Sequence, residues 1–263
     1  MIVCTAEISV LKELIALLPE ALQAASAGFC ESRKRNYLTS RALLYQAAAH
    51  FFKIPEPYPV LAVDLQGKPF FRDLPLIKFN LTHSRGFVAA ALAACAEKEA
   101  RARAGATAEL AARPAYGMQI AEQGIDLEFV RPYHNFEALK ERVLGPQERS
   151  DLDLLPSREQ RREFTALWTV RECLLKASGR GLGGLDSLEV DLQERVIFST
   201  LNSRGLVHCL EFPLAGADEG FLSWFSPGND RTGFYVFTPQ GFEELEPRGE
   251  RVFTVEAGQT TLG

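Results

Sequence analysis

The chain has 263 residues, 46% apolar and 24% charged, with 29 Lys and Arg against 34 Asp and Glu for a formal net charge of −5. These proportions are those of a globular protein and exclude a disordered, collagen-like or coiled-coil chain. The mild acidic balance argues against bulk electrostatic binding of nucleic acid, which draws on many phosphate contacts.

In chain order, residues 2–8 read as a strand and 10–26 as a helix, with Leu11, Leu14, Ile15, Leu18 and Leu22 at helical spacing despite Pro19. Thr39 to Phe52 reads as a second helix. Val60 to Leu65 reads as a strand that ends at Gly67. Lys78–Leu81 and Gly86–Ala93 read as strands around a turn at His83-Ser84-Arg85-Gly86, the second so continuously apolar that it should be covered on both faces. Residues 95–116, rich in Ala, Glu and Arg, read as an exposed insertion before Pro114. A strand is expected from about Ile120 to Val130, then short helices at 135–144 and 147–155. The strongest helix signal runs from Ser157 to Ser178. Ser157 and Gln160 suggest a capping box there, and Gly179 a stop. Strands follow at 187–193, 195–199, 206–212, 220–226 and 233–238, and the polar tail from Pro239 reads as irregular.

The five cysteines form no C-x-x-C pair and the four histidines show no zinc spacing, a pattern that suits reduced thiols in a cytoplasmic protein. The amino terminus lacks the basic region of a signal peptide, and the apolar run 86–96 is too short to span a bilayer, so no membrane partner is expected. Val63-Asp64-Leu65-Gln66 recurs as Val190-Asp191-Leu192-Gln193, an offset of 127 residues. Each copy follows a helix carrying an Arg shortly before paired leucines, and each helix follows a strand. The repeated order suggests two similar α+β halves.

Three constellations carry chemistry. On the strand Gly124-Ile-Asp-Leu-Glu128, Asp126 and Glu128 point to one face and Ile125 and Leu127 to the other. Paired carboxylates repel unless water, a proton or a cation lies between them, and a hard ion such as Mg²⁺ is a natural occupant. The plain alternative is a wet acidic strand face. On helix 157–178, Trp168, Glu172 and Lys176 recur every four residues and share a face; alone, the last two suggest only an exposed ion pair. The glycines at 179–184 follow their helix, the reverse of a phosphate loop. The third constellation is Asn80-Leu-Thr-His-Ser84, a polar segment between apolar strands.

Taken together and in this order, Asn-Leu-Thr-His-Ser (80–84), Gly-Ile-Asp-Leu-Glu (124–128) and Trp-Thr-Val-Arg-Glu-Cys-Leu-Leu-Lys-Ala (168–177) resemble the 4′-phosphopantetheinyl transferases of the two-half, surfactin-synthetase-activator type. Gly67-Lys68-Pro69 and Ser40-Arg41-Ala-Leu-Leu fit the same family, and the resemblance covers roughly residues 30–240. It implies an α+β fold built as a pseudo-twofold pair of similar subdomains, each a mainly antiparallel sheet packed with helices. The halves would be 1–118, with the insertion 95–116, and 119–240, followed by a C-terminal extension 241–263.

The resemblance also implies transfer of the 4′-phosphopantetheine group of coenzyme A to a serine of an apo acyl or peptidyl carrier protein, releasing 3′,5′-ADP. Asp126, Glu128 and Glu172 would be the Mg²⁺ carboxylates, with Glu172 as metal ligand, general base or both. Lys176 would meet a CoA phosphate, Thr82 and His83 would hold CoA phosphates, and Arg41 and Lys68 would serve the nucleotide end. Arg171 stands where lysine is common, and Thr82 where serine is common. A monomer is the expected state, because the duplication is internal. Carrier proteins are acidic, so Arg158, Arg161 and Arg162 are candidates to receive one. Two other readings use the same residues: a non-catalytic module binding CoA or carrier, and a Mg²⁺-dependent phosphohydrolase.

Overall fold

A computed structural model describes residues 1–94, 123–212, 219–227, 232–247 and 249–258. Its helices are α1 (Glu20–Ala25), α2 (Glu31–Phe52), α3 (Phe136–Val143), α4 (Pro146–Asp153) and α5 (Ser157–Ser178). The strands of the first half are β1 (Ile2–Glu7), β2 (Leu61–Val63), β3 (Pro69–Phe71), β4 (Ile77–Ser84) and β5 (Phe87–Ala94). Then come β6 (Gly124–Phe129), β7 (Leu188–Asp191), β8 (Val196–Ser199), β9 (Gly205–Glu211) and β10 (Gly220–Ser226). The last are β11 (Gly233–Thr238), β12 (Gly241–Glu244) and β13 (Arg251–Ala257).

The strands form a five-stranded sheet β12-β11-β1-β5-β4, a six-stranded sheet β6-β10-β9-β13-β8-β7 and the small hairpin β2–β3. Most neighbours are antiparallel; β1 with β11 and β8 with β13 are parallel. The two large sheets pack face to face, with Val3, Ala89 and Ala91 against Ile125, Leu127, Leu222 and Trp224. Helix α2 covers the outer face of the first sheet through Leu38, Ala42 and Tyr45 against Cys4, Val88 and Ala90. Helix α5 covers the outer face of the second through Val170, Cys173 and Leu174 against Val207 and Phe221. Strand β5 therefore lies between helix and sheet, and Val88 to Leu92 are fully buried, as its unbroken apolar run requires.

The internal repeat has a physical basis. A strand, a 22-residue helix and a two-strand hairpin recur in each half, as β1-α2-β2-β3 and β6-α5-β7-β8. The shared Val-Asp-Leu-Gln opens the hairpin turn in both halves. Asp64 Oδ1 accepts the backbone N–H groups of Gln66 and Lys68, and Asp191 Oδ1 those of Gln193 and Glu194.

Several expectations change. The helix read over 10–26 is broken: 3-10 turns at Ile8–Leu11 and Glu13–Leu17 precede an extended Leu18, and α1 begins only after Pro19. Proline disfavours helical geometry in the residue before it and has no N–H to donate, so periodicity loses here. Helix α2 starts eight residues before Thr39, through a charged stretch without an apolar stripe. The turn before β5 narrows to Arg85-Gly86, both at positive φ, and leaves His83 and Ser84 within β4. Ser157 and Gln160 form no capping box; Pro156 precedes the helix and Gln160 bonds the Leu155 carbonyl instead. The tail read as irregular holds β12 and β13, one in each large sheet. The insertion 95–116 and the boundary at 118/119 lie outside the described residues. No helix among the described residues is long and apolar enough to cross a membrane.

Candidate active site

Strand β4 is one edge of the first sheet and β6 one edge of the second. They lie alongside each other and are tied by side chains. Alternate residues of β4 face β6: Asn80 Oδ1 accepts the Ile125 N–H, Thr82 donates to Asp126 and Ser84 to Glu128. Polar side chains thus satisfy edge groups that no ladder pairs. The sequence reading ends this strand at Leu81 and places Ser84 in a turn, so neither Asn80 nor Ser84 is singled out there.

Helix α5 passes over the outer face of β6. The contact is close because Gly124 has no side chain; a Cβ there would lie 1.7 Å from the Cys173 carbonyl oxygen. This contact sets the carboxylates of β6 beside the face of α5 that carries Trp168, Glu172 and Lys176. A cavity of about 400 Å³ results, lined by Leu81, Thr82, His83, Asp126, Glu128, Trp168, Glu172 and Lys176. Six of the eight residues named from the sequence line it.

At its centre Lys176 Nζ donates to Asp126 Oδ1 at 2.6 Å and to Thr82 Oγ1 at 3.1 Å, and Thr82 donates to the same Asp126 oxygen at 3.1 Å. Asp126 Oδ2 is buried and has no hydrogen-bond partner among the described residues. Burial raises the Glu128 pKa, as does the nearby Asp126; burial and then Asp126 do the same to Glu172. Partial burial, and then the charge of Lys176, lower that of His83.

Among the described residues no group of three or more His, Cys, Asp or Glu side chains is already arranged to hold a metal ion. Lys176 supplies the positive charge beside Asp126, and Ser84 engages Glu128, which limits carboxylate repulsion. The donor set nonetheless fits a hard divalent cation. Three carboxylates line one cavity, and one of their oxygens is buried without a partner.

The remaining two residues lie elsewhere. Arg41, on α2, stacks its guanidinium 3.7 Å from the Tyr37 ring centre and, among the described residues, its buried Nε has no hydrogen-bond partner. Its charge acts on His83, whose Nδ1 lies 3.3 Å from Asn36 Nδ2 on the same helix. Asn36 gave no sequence signal, since only the fold brings it to His83. Lys68, expected at the nucleotide end, spends its ammonium on three backbone carbonyls: Gln123 (2.8 Å), Lys176 (2.9 Å) and Ala177 (3.1 Å). Arg171, the near neighbour of the acidic face, is buried and donates to both oxygens of buried Glu148. The basic cluster at the start of α5 is partly neutralised, since Arg158 pairs with Glu219 and Arg162 with Glu211.

Comparison with known proteins finds one family and several similar chains. Residues 122–215 match the family model of the 4′-phosphopantetheinyl transferase superfamily. The 4′-phosphopantetheinyl transferase HetI of Nostoc sp. is 28% identical over 188 residues, 70% of this chain and 69% of that relative. The 4′-phosphopantetheinyl transferase psf-1 of Bacillus pumilus is 26% identical over 161 residues, and the match spans 61% of this chain but only 57% of psf-1. The 4′-phosphopantetheinyl transferase AcpT of Salmonella typhimurium is 26% identical over 199 residues, 74% of this chain and 85% of AcpT. The carboxylate strand and the Glu172–Lys176 helix both lie inside the segment that matches the 4′-phosphopantetheinyl transferase superfamily, and over that segment the chain is similar to it.

Proposed function

We propose that the protein transfers 4′-phosphopantetheine from coenzyme A to a serine hydroxyl of an apo acyl or peptidyl carrier protein, with Mg²⁺ as cofactor. The observation that carries this reading is the single cavity in which Asp126, Glu128 and Glu172 meet Lys176, Thr82 and His83. Coenzyme A brings a diphosphate and a 3′-phosphate, and these need cations and donors in one cleft.

Asp126, Glu128 and Glu172 are the residues to hold Mg²⁺. The ion, when bound, would offset charge on the diphosphate oxygens. Lys176, already between Asp126 and Thr82, donates to a phosphate oxygen and helps fix the phosphorus for in-line attack. Thr82 and His83 take further phosphate oxygens, with Arg41 and Asn36 behind His83. A carboxylate, for which Glu172 is the candidate, accepts the proton of the attacking serine. The serine oxygen bonds to the phosphorus next to pantetheine, the P–O bond to the nucleotide breaks, and 3′,5′-ADP leaves. General-base help of this kind supplies about 10²–10⁴-fold.

Both halves contribute to the cavity from one chain, so a monomer is the proposed working unit. The protein incubated with CoA, Mg²⁺ and an apo-carrier should add one phosphopantetheine mass to the carrier and release 3′,5′-ADP. Release of 3′,5′-ADP without a carrier would instead identify a phosphohydrolase, and CoA binding without turnover a binding module.

A further inference from the structure

We propose that Lys68 is a positioning residue, a staple by which the hairpin of the N-terminal half fixes the spacing between β6 and the end of α5. The proposal rests on the functional reading above only in taking Asp126, Glu172 and Lys176 to be the working groups. Otherwise it stands on hydrogen bonds.

The last carbonyls of an α-helix have no partner within the helix. In α5 the Leu175 carbonyl is satisfied by the Ser178 hydroxyl at 3.0 Å. The next two carbonyls, those of Lys176 and Ala177, both accept from Lys68 Nζ. The third N–H of the ammonium goes to the carbonyl of Gln123, the residue before β6. An ammonium has three donors, and these three carbonyls lie within their reach. The positive charge also lies at the negative end of the helix dipole, where a cation is favoured.

One side chain from the β2–β3 hairpin therefore ties together the two elements that carry the carboxylates and Lys176. Gln123 is three residues before Asp126, and one of the stapled helix carbonyls is that of Lys176 itself. The hairpin is shaped for the task. The Asp64 carboxylate accepts two turn N–H groups, the Asp64 and Lys68 backbones bond at 3.0 Å, and Gly67 takes the positive φ of the turn. Gln66 in the same turn lies against Gly179, within 3.7 Å of where a Cβ would stand, which seats the hairpin on the helix end.

The staple reassigns Lys68 from ligand contact to alignment, and the two roles give different kinetics. In the full-length protein, Lys68→Met should lower kcat by about 10–100-fold, the range seen when a partner that orients site residues is removed. KM for CoA should stay nearly constant. Hydrogen exchange should rise in peptides covering 174–178 and 123–126 and stay unchanged in α2. Propylammonium, which supplies the missing atoms of the side chain, should restore part of the lost kcat to Lys68→Ala. A rise in KM for CoA with kcat and exchange unchanged would make Lys68 a substrate contact and overturn the proposal, as would unaltered kinetics and exchange. Should Lys68→Met fail to fold, Lys68→Arg keeps a cation with several donors. Protection at 174–178 together with retained kcat then supports the staple, and lost kcat with full protection overturns it. If the wild type transfers nothing, the functional reading fails alone, because the exchange arm still decides the staple.

Discussion

The Lys176 ammonium lies 2.6 Å from Asp126 Oδ1, and this pair joins the last turn of α5 to the middle of β6. The two residues are fifty positions apart, and neither belongs to an ordinary surface ion pair, because Asp126 is only 3% exposed. Its second oxygen, Oδ2, is buried and unbonded among the described residues. An oxygen of this kind costs stability unless something occupies it in the working state. Asp126→Asn keeps the shape and the Thr82 contact but removes the charge that a cation needs. Transfer should fall by at least about 10²–10³-fold, the loss typical of removing one group aimed at developing charge. The melting temperature should change little. Near-normal turnover at saturating Mg²⁺ would count against Asp126 as a metal carboxylate.

Glu172 stands one turn before Lys176 on the same helix face and is half-buried in the cavity. If it takes the serine proton, Glu172→Gln should reduce kcat by about 10²–10⁴-fold while CoA affinity changes little. Single-turnover rates and CoA binding measured on one preparation separate the two. A variant that loses affinity and keeps its single-turnover rate would assign Glu172 to binding alone.

His83 offers a pH test. Partial burial and the charge of Lys176 lower its pKa below the usual 6.5, so in the free protein it is neutral at pH 7. A phosphate beside it favours the charged form and raises that pKa. Binding of CoA should therefore take up a proton between the two values, and affinity should weaken as pH rises through the value in the complex. In the free protein the sign is opposite. Below about 6.5 the unfolded chain protonates His83 first, so its contribution to stability is lost as pH falls. Calorimetry in buffers of different ionisation enthalpy reads the uptake directly. An identical proton count in wild type and His83→Gln would remove His83 from phosphate binding.

Much of this site was legible in the sequence because it lies on regular elements. Strand alternation set Asp126 and Glu128 on one face, and helical spacing set Trp168, Glu172 and Lys176 on another, but the resemblance was needed to join the two faces in one site. Thr82 and His83 needed the resemblance to single them out from the polar segment. What stayed hidden depends on tertiary contact. Lys68 reads as a loop cation until the hairpin is seen to lie on the end of α5. Asn36 sits in a charged stretch with no apolar stripe, where the helix itself could not be seen. Of the tail strands β12 is short, and β13 fills the place between β8 and β9 that only the assembled sheet creates. The broken helix before Pro19 shows the opposite error, a periodic pattern outweighed by one residue's covalent geometry.

The Arg171–Glu148 pair makes a stability prediction independent of catalysis. Both side chains are almost fully buried; only Arg171 Nη2 reaches Glu148, and Nε and Nη1 have no hydrogen-bond partner among the described residues. Glu148 also accepts the Gly145 N–H at the start of α4. Glu148→Ala strands a buried guanidinium and should cost about 3–5 kcal/mol. The double variant Glu148→Leu/Arg171→Met removes both charges and should recover most of that, less about 1 kcal/mol for the lost cap. Urea unfolding of the three proteins measures the difference. Equal stability of Glu148→Ala and wild type would mean the pair contributes nothing beyond packing.

Gly124 controls how near α5 can approach β6, and therefore the width of the cavity. A Cβ at this position would lie 1.7 Å from the Cys173 oxygen and 2.7 Å from its carbonyl carbon, both backbone atoms of a packed helix that cannot rotate away. Gly124→Ala should destabilise by at least the upper part of the about 1–3 kcal/mol usual for overpacking. Where the variant still folds, α5 must shift outward, carrying Glu172 and Lys176 away from Asp126, so turnover should fall further than stability alone explains. Gly28→Ala is the control, because a Cβ there meets nothing within 4 Å. Wild-type stability and turnover in Gly124→Ala would show that α5 and β6 are not held at this separation.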